Sequence, residues 1–457
     1  MNNQMIPIGK LFNIEKGELQ STKCTPGEYA FITAAENWKT HNEYSHECEA
    51  LIFAAAASGS LGRVHYVDSK FTTSDLCYIL TPRDEIKYPL NLRFYHFVFN
   101  SLRSALVAAT KSGTSKESIN QTNFKNYEIP YFNIELQNLW IEKLKNTLGL
   151  KDLLVRELTH QQTLLKKLRQ QILQEAIEGK LTADWRAQNQ DVEPASELLK
   201  RIAAEKEQLI KDKKIKAQKP LPPITNEEKP FDLPQGWEWC RLEESGLFER
   251  GKSKHRPRND LQLFEDGHFP FVQTGDIARS KRNGYRINTF SQKYNDFGLA
   301  QSRIWSKGTL CITIAANIAE TGFLDLDACF PDSVVGFSSI SDLMSSFYVK
   351  YFIDATKDEI EKFAPATAQK NINLGIINML SFPSPPLAEQ QAIVTKVENL
   401  FTLCDQLEAQ IAQNQTHAEQ LMQTVLKEAF SHNSKAESVP VTSQISTQLP
   451  DAMVCGD

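Results

Sequence analysis

Eight residues from Gly246 to Ser253, GLFERGKS, match the spacing G-x-x-x-x-G-K-[ST] of phosphate-binding loops. In such a loop, backbone N–H groups and the lysine surround the phosphates of a nucleotide, and the serine or threonine hydroxyl binds magnesium. A working loop of this kind would make the chain a nucleotide hydrolase. It requires a buried strand before the motif and a helix after it, because the helix N-terminus helps to hold the phosphates.

The residues around the motif do not supply those two elements. WEWCRLEES, which precedes it, is too charged for a central parallel strand, and Pro257 follows Ser253 within a segment that has no helical apolar period. We also find no run of four apolar residues ending in Asp that would hold magnesium. The sequence therefore predicts a basic turn after a strand, and the match to a phosphate loop is interpreted as accidental.

The basic residues of this segment have a second interpretation. Lys252, Lys254, Arg256 and Arg258 alternate along an extended stretch, so a loop or β-ribbon could direct them together at DNA phosphates or guanine edges. The alternative is a solvated basic loop. The net charge of −5 argues against a uniformly basic nucleic-acid binder. A chain that is acidic overall can nevertheless carry one phosphate-attracting face.

Other catalytic and metal-binding patterns are absent from the sequence. We find no G-x-S-x-G, no H-E-x-x-H and no glycine fingerprint for a dinucleotide. The eight cysteines include no C-x-x-C pair, and His41, His46 and Cys48 do not have zinc-site spacing. We therefore predict neither a catalytic nor a metal site. The sequence also lacks an apolar run of membrane-spanning length and a signal peptide, so we expect a cytoplasmic protein.

The chain contains an internal repeat. Residues 119–177 align without a gap to residues 372–430, with 16 identities in 59 positions. Upstream, ALIFAAAASGSLGRVHYVDSKF from Ala50 resembles TLCITIAANIAETGFLDLDACF from Thr309. The sequence therefore predicts two copies of one unit, each with a β-rich globular part followed by a long helix. The first copy has LFNIEKGELQ where the second has the phosphate-loop match, and it lacks the lysine–serine pair.

Each predicted long helix carries apolar residues at alternating steps of four and three, the pattern of a coiled coil. We predict that the two helices pair with each other in antiparallel orientation, with Lys151 opposite Asn414 and Gln161 opposite Cys404. The predicted seam includes four residues of each helix, namely Leu144, Leu154, Leu158, Leu165, Ile393, Val397, Leu407 and Ile411.

These features together resemble the specificity subunits of type I restriction–modification enzymes, over nearly the whole chain. Besides the duplicated unit, five stretches carry the resemblance: PPLAEQQAIVTKVENLFTLCDQLEAQI, QILQEAIEGKLTADWR, PLPPITNEEKPFDLPQGWEW, FVQTGDI and LIFAAAASGSLG. The resemblance implies an α+β fold with two β-rich α/β target-recognition domains, separated by two long antiparallel coiled-coil helices and related by a pseudo-two-fold repeat. The expected segments are recognition domains at 1–133 and 236–385, long helices at 134–178 and 386–431, a linker with a short helix at 179–235, and a disordered tail at 432–457.

The resemblance also implies a non-catalytic, sequence-specific DNA-binding subunit. Each domain would read one half of a bipartite, asymmetric site in double-stranded DNA, and the helices would set the spacer and dock methyltransferase subunits, two of them expected. Those partners would carry S-adenosylmethionine, and separate motor–nuclease subunits would use ATP and Mg, so no cofactor is expected on this chain. The alternatives are a system with a fused methyltransferase–nuclease, a phosphate-loop ATPase, and a coiled-coil scaffold that ignores DNA.

The candidate DNA-binding residues are chosen by charge and placement. Small residues would let the backbone approach DNA, and neighbouring basic groups would follow into a groove. In the first domain the candidates are Lys16, Ser58, Ser60, Arg63 and His65. In the second domain they are Lys252, Lys254, Arg256, Arg258, Thr274, Asp276 and Arg279.

Overall fold

The computed structural model describes residues 4–56, 59–112, 117–217, 220–364 and 371–430. The predicted tail and the candidate Ser58 lie outside these ranges. The chain divides into two compact units, residues 1–159 with 412–457 (unit 1) and residues 160–411 (unit 2). This division passes through both long helices, whereas the expected segments separate each domain from its helix. Within the described ranges, no helix is long and apolar enough to cross a membrane.

Unit 1 is built on a six-stranded sheet in the order β2-β7-β5-β6-β3-β4, in which the β3–β6 pair is parallel. Helix α2 packs on one face, over a core rich in phenylalanine. The strands are β1 (Gln4–Pro7), β2 (Phe12–Lys16), β3 (Tyr29–Ile32), β4 (Lys39–His41), β5 (His46–Ala54), β6 (Val64–Thr73), β7 (Cys77–Pro82), β8 (Lys111–Ser112), β9 (Ser118–Ile119) and β10 (Glu128–Tyr131). The helices are α1 (Ile8–Leu11), α2 (Leu92–Thr110), α3 (Gln121–Asn126) and the first part of α4 (Ile134–Ile177).

Unit 2 is built on a five-stranded sheet in the order β12-β18-β16-β17-β14, in which the β14–β17 pair is parallel. The strands are β11 (Glu238–Arg241), β12 (Leu247–Arg250), β13 (Phe269–Phe271), β14 (Arg286–Ile287), β15 (Gln292–Tyr294), β16 (Leu310–Thr313), β17 (Thr321–Leu324), β18 (Val334–Ser338) and β19 (Ser381–Ser384). The helices after α4 are α5 (Ala183–Gln188), α6 (Ala195–Lys211), α7 (Thr274–Ser280), α8 (Asp296–Ala300), α9 (Ser346–Ala355), α10 (Lys357–Lys362), α11 (Leu374–Met379) and α12 (Leu387–Phe430).

The two sheets have the same topology, which confirms the duplication. The first five strands of the unit 1 sheet correspond in order to those of unit 2, and in both the last pair is the parallel one. In both units a separate antiparallel pair leads into the long helix, β1–β10 before α4 and β11–β19 before α12. Met5 pairs with Pro130 in the first, and Trp239 pairs with Pro383 in the second.

The repeat extends to single hydrogen bonds. Gln137 and Gln390 are equivalent, and both are fully buried. The Gln137 side chain accepts from the backbone N–H of Asn91 (2.6 Å), and that of Gln390 accepts from the N–H of Ser345 (2.8 Å). Asn91 and Ser345 are the N-cap residues of α2 and α9. Each glutamine therefore fixes the base of a long helix to the start of a domain helix.

The two long helices pair in antiparallel orientation, as predicted. In unit 2, Arg169 of α4 forms ion pairs with Asp405 (2.5 Å) and Glu408 (3.3 Å) of α12. In unit 1, Val425 near the end of α12 packs against the core cluster that contains Leu144 near the start of α4. Late residues of one helix thus meet early residues of the other.

Two predicted seam residues lie outside the buried contact. Leu144, Leu158, Leu165, Ile393, Val397 and Ile411 are buried, but Leu154 is 40% exposed and Leu407 is 52% exposed. The buried positions mostly recur every seven residues, such as Val397, Cys404 and Ile411. The pair therefore buries most of one heptad row and leaves the second row partly open, because two helices alone do not enclose both rows here.

The predicted register, with Gln161 opposite Cys404, is wrong. In that register Asp405 and Glu408 would lie about 13 and 18 Å along the axis from Arg169, at a rise of 1.5 Å per residue. Arg169 contacts both carboxylates directly. The heptad pattern could not identify the register, because a repeating seam fits several alignments equally well.

Candidate nucleic-acid interface

The GLFERGKS segment is an edge strand followed by an anchored turn. Leu247–Arg250 forms β12 and pairs antiparallel with β18. Beyond it, the N–H of Gly251 donates to Val334 O (2.8 Å), and that of Lys252 donates to Phe330 O (3.2 Å). A phosphate loop needs these N–H groups free to surround the ligand. The segment therefore does not have the geometry of a nucleotide site.

Lys252 and Lys254 project from a backbone that is held in place. Both side chains are exposed, while Ser253 between them is buried. The N–H of Lys254 donates to Gln301 O (3.1 Å), and the hydroxyl of Ser302 donates to Lys252 O (2.8 Å). Among the described residues neither lysine is paired with a carboxylate. The alternation predicted from the sequence therefore places two available ammonium groups on one side of a fixed segment.

Arg256 and Arg258, farther along the same segment, are already engaged. Arg258 forms an ion pair with Asp332 (2.7 Å), and Arg256 lies 3.7 Å from the same carboxylate. Arg256 also donates to the carbonyl oxygens of Ser253 (2.6 Å) and His255 (2.7 Å). Because Asp332 partly neutralises their positive charge, these two arginines are less available to DNA phosphates than the two lysines are.

Helix α7 begins two residues after Val272, whose backbone contact lies next to the residue that holds Lys252. Val272 N–H donates to Cys329 O (2.8 Å), next to Phe330, which accepts from Lys252 N–H. The candidates Thr274 and Arg279 are half-buried and exposed, respectively. The turn after α7 adds Lys281 and Arg282, both exposed. The candidate set omitted these two residues, although the basic run ARSKRNGYR contains them.

The candidate Asp276 has a structural position. It is 2% exposed, and its carboxylate accepts the N–H of Gln273 (2.8 Å) in a capping box at the start of α7. Arg279 also pairs with it. Asp276 was selected from the sequence by its charge and its place after an apolar strand, but this carboxylate is occupied by its own helix.

Replacing Asp276 with Ala is expected to destabilise unit 2. Loss of a helix cap and of a buried hydrogen bond costs about 1–2 kcal/mol. For a unit of this size the melting temperature would fall by about 2–8 °C, which scanning calorimetry of the intact protein measures. Asp276→Asn keeps an acceptor oxygen and serves as the matched control, with a smaller shift. An unchanged melting temperature for Asp276→Ala would refute the capping role.

In unit 1, a cluster of polar and aromatic side chains lies at the start of β6. Arg63 donates to Ala34 O (3.2 Å) and to the hydroxyl of the candidate Ser60 (3.4 Å). The candidate His65, on the same strand, accepts the indole N–H of Trp38 (3.2 Å). Trp38 is 43% exposed and was not selected from the sequence, where it stands alone in a polar loop.

The chemistry of His65 differs from that of a basic contact. Burial lowers the pKa of His65 below its usual range. The ring is therefore neutral near pH 7 and holds Trp38 rather than contributing charge. The positive charge of this cluster comes from Arg63, and from Arg103 of α2, which donates to Leu61 O (2.9 Å) and Gly59 O (3.4 Å).

Lys16 does not join this cluster. It is the exposed last residue of β2, which is three strands away from β6 in the sheet order. At about 4.8 Å between neighbouring strands, the two strands are roughly 14 Å apart. The five candidates of the first domain therefore reduce to one cluster around Arg63 and one separate lysine, with Ser58 outside the described residues.

The long helices carry a second surface, which is apolar. Exposed leucines on these helices have between 40 and 67% of their surface accessible. At about 100° per residue, each lies roughly 60–160° to the same side of the buried row of its own helix. On α4 they are Leu139, Leu150, Leu153, Leu154, Leu164 and Leu168, and on α12 they are Leu403, Leu407 and Leu421. We call these sets the apolar stripes.

An aromatic residue borders the α12 stripe in unit 2. Trp185 of α5 lines a groove of about 610 Å³ together with residues of α12 that include Leu400 and Leu403. Exposed apolar surface of this extent on a soluble protein is typical of a protein–protein interface. Among the described residues, no group of three or more metal-ligating side chains is found.

A family model described as "Type I restriction modification DNA specificity domain" matches residues 2–158 and 234–415. Curated relatives include the specificity subunits of the type I restriction enzymes EcoAI and EcoDI from Escherichia coli. The EcoAI subunit is 34% identical over 257 residues, which cover 52% of this chain and 40% of that subunit. The EcoDI subunit is 24% identical over 433 residues, covering 93% of this chain and 87% of the relative. A third, the EcoEI subunit, is 30% identical, and the match spans 41% of its length.

Two solved structures share the fold. The HsdS subunit from Thermoanaerobacter tengcongensis has a TM-score of 0.56 and 17% identity, covering 93% of this chain and 96% of that one. A chain from a study of complex assembly and conformational transition of the type I R-M system has a TM-score of 0.61 and 16% identity, covering 94% and 97%.

Proposed function

The chain belongs to the family of type I restriction modification DNA specificity domains, and we propose that it is the non-catalytic, DNA-reading subunit of a type I restriction–modification complex. The observation that carries this proposal is the duplicated domain. Two units share one sheet topology, and each carries a group of basic side chains built from different residues, exposed in unit 2 and half-buried in unit 1. Two related but non-identical readers suit a bipartite, asymmetric site in double-stranded DNA.

In the second domain, Lys252, Lys254, Lys281 and Arg282 would contact phosphates, and Thr274 and Arg279 at α7 would approach base edges. Lysine ammonium groups on a fixed backbone position the protein, whereas residues that enter a groove specify the sequence. Arg256 and Arg258 would contribute less, because Asp332 competes for them.

In the first domain, Arg63 would be the principal base-reading candidate, with Trp38 and Ser60 beside it. An exposed tryptophan supplies an apolar edge for contact with a thymine methyl group or sugar, and arginine can bind guanine in a bidentate manner. His65 would hold Trp38 in place, and Lys16 would contact the phosphate backbone separately.

The apolar stripes of α4 and α12 would dock methyltransferase subunits. Because the chain contains two copies of one unit, we expect two such subunits. Those subunits would bind S-adenosylmethionine, and motor–nuclease subunits would use ATP and Mg. A fused methyltransferase–nuclease remains the alternative partner. We expect the complex to act in the cytoplasm.

Two functions of another class are less well supported. The hydrogen bonds of Gly251, Lys252 and Lys254 N–H groups leave no phosphate cradle for an ATPase. In a scaffold that does not bind DNA, the exposed lysines on a fixed backbone and the Arg63 cluster would have no function.

Mapping methylated adenines tests the proposal. The chain is co-expressed with its methyltransferase subunit in a host without adenine methylation, and the modified bases are located by long-read sequencing. We expect a split, asymmetric motif with one fixed gap. Association of the two proteins without any motif would contradict the proposal and favour the scaffold.

A further inference from the structure

A buried polar cluster ties the end of α4 to the start of α12 in unit 2. Its centre is the carboxylate of Glu389, which is fully buried. That carboxylate accepts hydrogen bonds from the hydroxyl of Thr182 (2.7 Å), from Arg186 Nη2 (2.7 Å) and from the indole N–H of Trp237 (2.8 Å). We call Thr182, Arg186, Trp237 and Glu389 the Glu389 cluster. A buried carboxylate is tolerated only when donors of this kind replace its water.

The chain around the cluster is tightly packed. Gly179, two residues beyond α4, has a φ of +73°, and a Cβ there would lie 2.6 Å from Pro234 Cγ. Arg186 Nη2 also donates to Gly179 O (2.6 Å). The cluster therefore fixes the turn after α4, α5 and the approach to β11 against the first turn of α12.

The helix seam by itself does not select one alignment. Its buried residues mostly recur every seven positions in both helices, so a slip of one heptad, about 10 Å along the axis, would restore most of the apolar contacts. The two carboxylates that pair with Arg169 are exposed, so these ion pairs contribute little to the stability of one alignment. The contact from Gln170 to Ala355 O (2.9 Å) is a single neutral hydrogen bond.

The Glu389 cluster, in contrast, occurs once in the part of the chain that the structure describes. The residue equivalent to Glu389 in the first repeat is Leu136, at the same offset of 253 that relates Gln137 to Gln390. A slip of α12 against α4 would leave Glu389 buried without its donors, which is strongly unfavourable. Only one alignment therefore satisfies both the seam and the cluster.

We propose that the Glu389 cluster sets the axial register of α12 against α4 and thereby fixes the length of the DNA spacer between the two half-sites. Glu389 acts as a positioning residue, because it touches neither DNA nor a reacting group. The spacer part of this inference rests on the proposed function, and the register part does not.

Spacer preference is the functional test. Wild-type protein and Glu389→Gln, each with the methyltransferase subunit, are assayed on plasmids that carry both half-sites of the mapped motif. Their spacers run from 3 bp shorter to 3 bp longer, about one heptad in each direction at 3.4 Å per base pair. We expect wild type to prefer one spacer by about 100-fold, and Glu389→Gln to prefer it by less than about 10-fold with both half-sites unchanged, a difference of about 1.4 kcal/mol. Arg169→Gln, which removes an exposed contact between the same helices, is the matched control and should keep the wild-type preference.

A crosslink measures the register directly and without DNA. In Arg169→Lys, a zero-length carbodiimide should join Lys at position 169 to Asp405 or Glu408, identified by mass spectrometry. Adding Glu389→Gln should reduce these crosslinks, and a slip of seven residues in one direction would create a new one to Glu398. If Glu389→Gln is insoluble, Arg186→Lys replaces it in both assays. That variant keeps the positive charge but cannot donate to Glu389 from both Nε and Nη2, as Arg186 does.

The outcomes separate the two proposals. A folded Glu389→Gln protein with wild-type crosslinks and an unchanged spacer preference would overturn the register role while leaving DNA reading intact. A wild-type complex that methylates no split site would contradict the proposed function, and the crosslinks would still decide the register role.

Discussion

Replacement of Leu403 and Leu407 with Glu is expected to weaken binding of the methyltransferase subunit about 100-fold or more, a loss of about 2.7 kcal/mol. Both leucines belong to the α12 stripe and are 55% and 52% exposed. On docking, the two introduced carboxylates would be buried without partners, which is costly. In the free chain the same groups stay in water, so the melting temperature should hardly change.

Calorimetric titration of the purified chain with its methyltransferase subunit measures this effect. Gln406→Glu with Gln413→Glu is the matched control, because both glutamines are exposed on the opposite side of α12 from the buried row and gain the same charge. The control should bind as wild type does. Unchanged affinity for the leucine variant, with its fold intact, would show that the stripe serves some other contact.

Removal of the Lys252 and Lys254 side chains is expected to reduce DNA affinity and its dependence on salt. Two lost phosphate contacts should lower the slope of log K against log salt by about 2, since each contributes about 0.9. At about 0.1 M salt we expect a loss of roughly 10–100-fold that is similar for specific and random sequences. The structural reason is that both ammonium groups are exposed and lack a carboxylate partner among the described residues.

Arg258→Ala is the comparison that makes this prediction specific to the structure. Its guanidinium is paired with Asp332 (2.7 Å), so its loss should weaken DNA binding less than about threefold, below about 0.7 kcal/mol. Fluorescence anisotropy at several salt concentrations gives affinity and slope together. Equal losses from Arg258→Ala and from the lysine pair would mean that Asp332 releases the arginine to DNA.

Periodicity and repetition were readable without coordinates because both are patterns in the order of residues along the chain. The seven-residue apolar pattern predicted two long helices, and the constant offset of 253 predicted two copies of one unit. The alternation of side chains along an extended segment likewise predicted that Lys252 and Lys254 point to the same side. The sequence also rejected the phosphate loop, because the residues on either side of Gly246–Ser253 could not form its strand and helix.

Tertiary structure decided what depends on distant partners. A repeating seam permits several alignments, so the contact of Arg169 with Asp405 and Glu408 was needed to find the register. Leu154 and Leu407 fit the heptad pattern as well as the buried leucines do, but a two-helix pair leaves them in solvent.

The same limit applies to individual polar side chains. Asp276 could have faced DNA or its own helix, and only the position of the Gln273 N–H decided between them. Trp38 and His65, or Glu389 and Arg186, are far apart in sequence and carry no local signal of their contacts. Sequence determined the repeated architecture through internal similarity and helical periodicity, whereas folding decided which side chains remain available, because long-range packing neutralises some groups and exposes others.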